Sequence, residues 1–303
     1  MTVDSYAPRR AFGWGDVLVL TTVVLWGASF TVIKSAYDEV TPLAFASVRF
    51  IIASLGLLLI LGIMRQPLAI ARRDLLRVAV LGFLHVGLYQ TFFSLGLRYT
   101  TASNSILIIN TSQVVTALLV WKTRAEPLSW RQAIGIPLAV IGVVILVEAG
   151  GDLSIGHLRG DLLTLLAAWS YGVTPVLVLP LYRRYTTLSV MAVSMIFGTL
   201  LLVAVGLPEL SRQSWAISPA AWSQLLYAAL GAGTLGYLFW YEGIRQIGPT
   251  RVAAYAYLIP PFGVWLAVTV LHEPFGAQHL LGAAVTIAGV ILARWPVQLK
   301  AGA

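Results

Sequence analysis

Long apolar runs separated by short polar connections follow one another from near the start of the chain to its end. Windows of about 19 residues place these runs at 16–36, 42–63, 75–97, 103–121, 129–148, 160–181, 188–207, 220–244, 250–271 and 276–295. Each is long enough to cross a hydrocarbon core of about 30 Å at 1.5 Å per residue. Within each run the apolar positions are continuous rather than alternating, which excludes a closed β-barrel. The expected fold class is therefore an all-α integral membrane protein with ten transmembrane helices. The first run follows Arg9 and Arg10 as a leader would, but it has a counterpart later in the chain. It is read as an integral helix rather than a removable signal.

Composition strengthens this reading. The 303 residues are 58% hydrophobic and 11% charged, with mean hydropathy +0.85, whereas soluble domains carry about 25% charged residues. One water-soluble core of this size cannot hide so much apolar surface. The net charge of +8 would point to nucleic acid in a soluble protein. Here the arginines sit in the short connections, where they match anionic lipid headgroups, so membrane lipids and no nucleic acid are expected as partners.

Charge also sets orientation. Of the 20 Lys and Arg residues, only Lys34, Arg98, Arg159 and Arg212 fall on the outer side if the N-terminus is inside, and Arg49 lies within the second span. The rest are inner, a strong positive-inside bias that predicts cytoplasmic N- and C-termini in the cell inner (plasma) membrane.

The chain also resembles itself. At a shift of 147 residues Gly96 meets Gly243, Arg98 meets Arg245, Glu126-Pro127 meets Glu273-Pro274, Gly135 meets Gly282 and Gly142 meets Gly289. At a shift of 145, Gly15-Asp16 meets Gly160-Asp161 and Gly27 meets Gly172. The expectation is two five-helix repeats, 1–153 and 154–303, forming one membrane domain. Five is odd, so the second repeat enters the membrane from the opposite side. Inverted repeats of this kind place substrate sites near the midplane at the repeat interface and support alternating access.

Two matched segments mark that depth. Asn110-Thr111-Ser112-Gln113 interrupts an apolar run at the centre of span four, and its mate at the 147 shift is Tyr257-Leu258-Ile259-Pro260. Tandem Pro260 and Pro261 in mid-helix would free the carbonyls of Ala256 and Tyr257. Irregular backbone inside a bilayer must line a cavity or face protein. The first repeat thus offers side-chain amides and hydroxyls, the second loosened backbone, and together they suit a zwitterion; helix–helix packing is the alternative. At 100° per residue Asn110, Ser112, Gln113 and Thr116 share an arc of about 160° while Thr111 points away. Asn110 and Gln113 are the candidates for substrate, and Thr111 is expected to bond a carbonyl one turn earlier.

Further candidates follow from depth and charge. His85 and Tyr89 share a face of span three, as substrate contacts, packing residues or, for the histidine, a proton carrier. Tyr237 is preferred over Trp240 in span eight because it lies deeper. Arg49, two turns inside span two, either binds a carboxylate bidentately or braces a neighbour. Glu126 and Glu273 each precede a proline and suit a helix N-terminus. Gly135, Ala139 and Gly142, with Gly282, Thr286 and Gly289, let spans five and ten approach closely, bracing the bundle or, alternatively, forming a homodimer contact. Cysteine is absent and the four histidines are scattered, so neither metal nor cofactor is expected. GxSxG, HExxH and paired mid-span carboxylates are missing, which argues against an intramembrane enzyme.

Ten spans in a five-plus-five repeat, with Glu-Pro ahead of a Gly-spaced last helix in each half, resemble the drug/metabolite transporter superfamily, EamA type, over roughly residues 14–295. Leu25-Trp26-Gly27, the run from Ala167 to Gly172 and the run from Ala256 to Pro261 are similar to segments of its aromatic and neutral amino-acid exporters. The resemblance implies efflux of small metabolites and aromatic residues around a central cavity, carried here by Trp26, Trp169 and Tyr257. Span four departs from those exporters, having Ser112-Gln113 where an aromatic-Pro pair is common. The expected function is export of amino acids or similar small neutral or amphiphilic metabolites by alternating access. The alternatives are a drug or sugar-phosphate/nucleotide-sugar carrier of the same superfamily, or a non-transporting protein such as a lipid scramblase.

Overall fold

The computed structural model describes residues 12–66, 68–124, 130–149, 155–247, 252 and 255–294. Among these the regular structure is entirely helical. In chain order the helices are α1 (Trp14–Ala36), α2 (Pro42–Ile63), α3 (Arg72–Gly82), α4 (Tyr89–Tyr99), α5 (Ala102–Ile109), α6 (Ser112–Arg124), α7 (Trp130–Ala149) and α8 (Ile155–Tyr182). They continue as α9 (Thr187–Arg212), α10 (Pro219–Leu226), α11 (Gly236–Ile247), α12 (Ile259–Val270) and α13 (Ala277–Arg294). A π-helical segment, Phe83–Leu88, joins α3 to α4 without a break, and a second, Tyr227–Leu235, joins α10 to α11.

The starts of these helices are written in local chemistry. Thr101 and Ser218 each accept a backbone N–H three residues on, at 3.0 and 3.1 Å, and Thr186 does so at 3.3 Å. Pro42 and Pro219 open their helices where a missing N–H costs nothing.

Among the described residues, five stretches are long and apolar enough to cross a membrane: Trp14–Ala36, Pro42–Ile63, Arg72–Tyr99, His157–Tyr182 and Thr187–Arg212. Large apolar side chains such as Leu55, Leu59, Leu76, Leu200 and Leu280 cover the outside of the bundle and are more than half exposed. In water such a surface would aggregate; against lipid tails it is the expected one.

Packing between the halves comes in mates. Helix α4 packs on α8 as α11 packs on α1; α6 packs on α8 as α12 packs on α1; and the first π-segment packs on α9 as the second packs on α2. At the centre, α2 and α9 meet each other, and Ser54 Oγ lies 3.0 Å from Thr199 Oγ1, its own mate at a shift of 145. Gly27 and Gly172, matched at a shift of 145, have no room for a side chain. A Cβ on Gly27 would stand 2.7 Å from the Phe262 ring and 3.3 Å from the Ile259 carbonyl, while one on Gly172 would stand 2.5 Å from the Ser112 carbonyl. Each glycine lets a long helix touch the start of a short one, and the touched residues Ser112 and Ile259 are themselves mates.

Spans four and nine are both broken, at matched positions. A two-residue turn at Asn110-Thr111 separates α5 from α6, and one at Tyr257-Leu258 precedes α12. This corrects the expectation of an uninterrupted polar helix in the first half. Thr111 N–H bonds the Ile108 carbonyl at 3.0 Å, and its hydroxyl bonds the same carbonyl at 2.6 Å, the expected back-bond. Pro260 and Pro261 are likewise not in mid-helix: they sit in the first turn of α12, where their lack of N–H is harmless. Helices α7 and α13 turn their small residues on one another, with Gly142 against Thr286 and Gly289 against Ala139. Those residues are used within the chain.

Candidate functional site

A chamber of about 170 Å³ lies between the halves, lined from α1, α2, α4, α5, α6, α8, α11, α12 and the second π-segment. On the same scale, an apolar cavity of about 150 Å³ accepts benzene. One side is aromatic. The Trp26 ring centroid lies 5.0 Å from that of Trp240 and 5.4 Å from that of Tyr237, the latter edge-on. Tyr89 and Tyr171 add a further pair at 5.2 Å. Polar groups are few: Arg49, Gln90, Gln113, Ser29 and Ser112.

The second π-segment explains how two of these side chains are aimed. A π turn shifts the backbone ladder and leaves carbonyls turned outward for other donors. Trp26 Nε1 donates to the Ala232 carbonyl at 3.0 Å, and Arg49 Nε donates to the Ala228 carbonyl at 3.2 Å. Two first-half side chains are therefore positioned by second-half backbone. Arg49 is 8% exposed, its guanidinium lies 5.0 Å from the Phe50 ring centre, and among the described residues it forms no ion pair with a carboxylate. A buried cation without an anion is costly; here the residue lines the chamber.

The first π-segment carries His85, which is buried beside the chamber rather than in its lining. Its ring lies 5.4 Å from Tyr171 and 5.8 Å from Tyr237, with Tyr237 Oη 3.4 Å from Nε2. His85 lines a second cavity of about 210 Å³ that shares Tyr171 and Trp240 with the first and runs toward Leu81, Tyr182 and Ile244. In the other direction Phe30 and Phe93, edge-to-face at 5.3 Å, close the chamber together with Ile33, and Phe45, Leu97, Ile106 and Val264 belong to the same packed cluster.

That closed end is tied across the halves. Glu273 accepts from Ala102 N at 2.6 Å, Ser103 N at 2.9 Å and Ser103 Oγ at 2.7 Å, and Lys34 Nζ lies 3.7 Å away while also bonding the Thr100 carbonyl. The carboxylate thus caps the N-terminus of α5 in the opposite half, not that of the helix following it. Asp161 accepts from the Thr100 hydroxyl beside it. Glu126, the sequence mate of Glu273, lies outside the described residues.

Of the residues singled out from the sequence, the chamber brings together Trp26, Arg49, Tyr89, Gln113 and Tyr237. Asn110 is not among its lining; its Nδ2 donates to the Ile106 carbonyl at 2.7 Å, stabilising the turn. Tyr257 packs against Val114, Ala139 and Val290, and Pro260 is buried in the start of α12. Trp169 is 53% exposed on the outer surface. Its place is taken by Tyr171, which was not singled out although it is the mate of Trp26 at a shift of 145, whereas Trp169 matches Val24, itself 48% exposed. Trp240, ranked below Tyr237, and Gln90 also line the chamber.

Comparison with known proteins gives the same architecture a context. The model of the EamA-like transporter family matches residues 13–148 and again 158–295. An uncharacterized transporter of Archaeoglobus fulgidus is 31% identical over 91% of this chain and 96% of its own. A probable terminal-alkyne amino-acid exporter of Streptantibioticus cattleyicolor is 29% identical over 92% of each chain. A probable amino-acid metabolite efflux pump of Escherichia coli is 26% identical over 94% of this chain and 98% of its own. A solved crystal structure superposes with TM-score 0.63 at 18% identity, covering 92% of this chain and 96% of that one, a likeness of fold alone.

Proposed function

We propose a substrate class and a mechanism from the premise that this chain belongs to the EamA-like transporter family. Membership makes it a multi-pass membrane transporter of the drug/metabolite type, not an enzyme. Its substrates are amino acids or similar small amphiphilic carboxylates, exported from the cytoplasm across the inner membrane. The observation that carries this reading is Arg49, a buried guanidinium without an acidic partner among the described residues, bordering an aromatic chamber of amino-acid size. Its Nε is held by the Ala228 carbonyl, leaving the terminal nitrogens for a bidentate carboxylate. The names of relatives described as amino-acid exporters or efflux pumps point the same way. Phosphorylated sugars and nucleotides would call for several cations, and Arg49 is the one among the chamber's lining residues.

Transport proceeds by alternating access. The chain forms ten membrane crossings in two inverted repeats, 1–153 and 154–303, with both termini cytoplasmic. The contact mates between halves and the matched helix breaks support this arrangement, and the distribution of Lys and Arg supports the orientation. The Glu273 end is then the outer gate, closed here, and the cavity past Tyr171 and Trp240 is the cytoplasmic approach.

Counterflow in proteoliposomes tests the reading. Loaded vesicles should exchange labelled amino acids, and Arg49→Gln should weaken carboxylate substrates roughly 10- to 100-fold, the loss of about 1.5–3 kcal/mol expected for a charge-assisted hydrogen bond. Folded protein with no saturable exchange of any amino acid across a panel would sink it.

A further inference from the structure

Among the described residues the chamber's lining contains one cation and no carboxylate, so an amino-acid substrate would leave its ammonium without an acid. What could receive it? Ser29 donates its hydroxyl proton to the Trp26 carbonyl at 2.7 Å, which leaves its oxygen as an acceptor, but a hydroxyl oxygen accepts more weakly than an amide oxygen. Gln113 is half-buried at the chamber's edge. Gln90 differs from both. It is 4% exposed, it lines the chamber, and its Oε1 is buried without a hydrogen-bond partner among the described residues. An orphaned buried amide oxygen is uncommon and calls for an explanation. Amide oxygen and nitrogen exchange places by a half-turn of the side-chain end, so Gln90 can present its acceptor to the chamber at little steric expense. Its mate at a shift of 147 is Tyr237, which also lines the chamber, so both repeats place a polar side chain at this position.

Resting on the reading that amino acids are the substrate class, we propose that Gln90 is the specificity-determining acceptor for the substrate α-ammonium, with Arg49 taking the carboxylate and the faces of Trp26 and Trp240 flanking the positive group. A neutral amide serves where an acid would not. A carboxylate here would pair with Arg49 in the empty chamber, cancel the attraction for substrate and have to be broken at every cycle. Cation–π contact adds to the ammonium's reception without a counter-charge. The pair of groups selects for molecules that carry both an amine and a carboxylate, and against the same side chain lacking either.

The test compares three inhibitors of amino-acid counterflow by the full-length protein in proteoliposomes: phenylalanine, its desamino analogue 3-phenylpropionate, and its decarboxylated analogue phenethylamine. Wild-type protein should prefer phenylalanine over 3-phenylpropionate by about tenfold or more. Gln90→Met, close in shape but without an acceptor, should bring that ratio to within about twofold while leaving 3-phenylpropionate unchanged. Gln90→Glu, by pairing with Arg49, should weaken 3-phenylpropionate and shift the preference toward phenethylamine by about tenfold or more; an unshifted preference overturns the assignment if the methionine variant does not fold. An unaltered preference for phenylalanine in Gln90→Met, or equal weakening of all three compounds, overturns the assignment while amino-acid transport stands. Absence of amino-acid counterflow in the wild type overturns the transport reading and this assignment together.

Discussion

Glu273, between α12 and α13, holds Ser103 at the start of α5 by two hydrogen bonds: its Oε2 accepts from the Ser103 amide at 2.9 Å and from the hydroxyl at 2.7 Å. The bonds join the two halves at the end where the chamber is sealed, and they combine a negative charge with the positive end of a helix dipole. If the halves rock about the chamber, these bonds must break for that end to open. Glu273→Gln keeps the shape but removes the charge. Loss of about 1.5–3 kcal/mol should tilt the equilibrium toward the open form roughly tenfold or more. The chain has no cysteine, so one introduced at Ile33, which lines the chamber and is 1% exposed, reports opening. Its labelling by an impermeant thiol reagent added from the Glu273 side should accelerate severalfold in the glutamine variant. Equal rates would mean that the contact does not control access.

Tyr171 and Trp169 are two residues apart on α8 and face opposite surroundings. Tyr171 meets Tyr89 and His85 at the junction of the two cavities, and Trp169 is 53% exposed outward. Tyr171→Ala should lower transport about tenfold, the effect of about 1.4 kcal/mol of lost contact. Trp169→Ala should stay within about twofold of wild type. Initial rates of exchange, normalised to reconstituted protein, decide between them, and the reverse ranking would refute the placement of the site.

Glu39 supplies a pH dependence of stability in the connection after α1. Ser218 donates to it twice, N–H to Oε2 and Oγ–H to Oε1, each at 2.6 Å. These hydrogen bonds hold the Glu39 carboxyl below its usual range. A carboxyl depressed on folding stabilises the native state above its unfolded pKa of about 4.3, and the contribution disappears as pH falls through the folded value. Glu39→Gln should therefore lower the melting temperature near neutral pH, and its deficit should shrink as pH drops below about 4. Tryptophan fluorescence melts in detergent measure this; a deficit that stays constant with pH would contradict it.

Gly142 has no room for a side chain, since a Cβ there would meet the backbone of Thr286 across the α7–α13 interface. Gly142→Val should cost about 1–3 kcal/mol of overpacking and lower the melting temperature. Conversion of Thr286 to Gly in the same protein should recover part of the loss, because the clash includes the Thr286 hydroxyl. A stable single variant would show that the two helices are held less closely than described.

Much of this molecule was legible before any coordinates, because lipid imposes a simple rule on sequence. Backbone polar groups must be satisfied within a segment, so helices announce themselves as apolar runs, and the boundaries read from hydropathy agree with Trp14–Ala36 and Pro42–Ile63 to within a few residues. The matching of residues at fixed shifts was visible as well, and it carried more information than was drawn from it. The same 145-residue shift that pairs Gly27 with Gly172 pairs Trp26 with Tyr171, not with Trp169.

What hydropathy could not tell is which face of an apolar helix meets lipid and which meets the partner half. Both faces are apolar, so hydropathy alone does not separate Trp169 from Tyr171; the 145-residue register hints at the difference and tertiary packing shows it. Backbone irregularity was equally hidden. Nothing local distinguishes the π-segment at Tyr227–Leu235 from an ordinary helix, yet its outward carbonyls aim Trp26 and Arg49 across the interface. The sequence alone determined that the chain is helical and built for lipid, because these follow from composition and period. Which polar groups share one chamber was decided by the tertiary structure, because it depends on contacts between residues such as Arg49 and Ala228 that lie 179 positions apart.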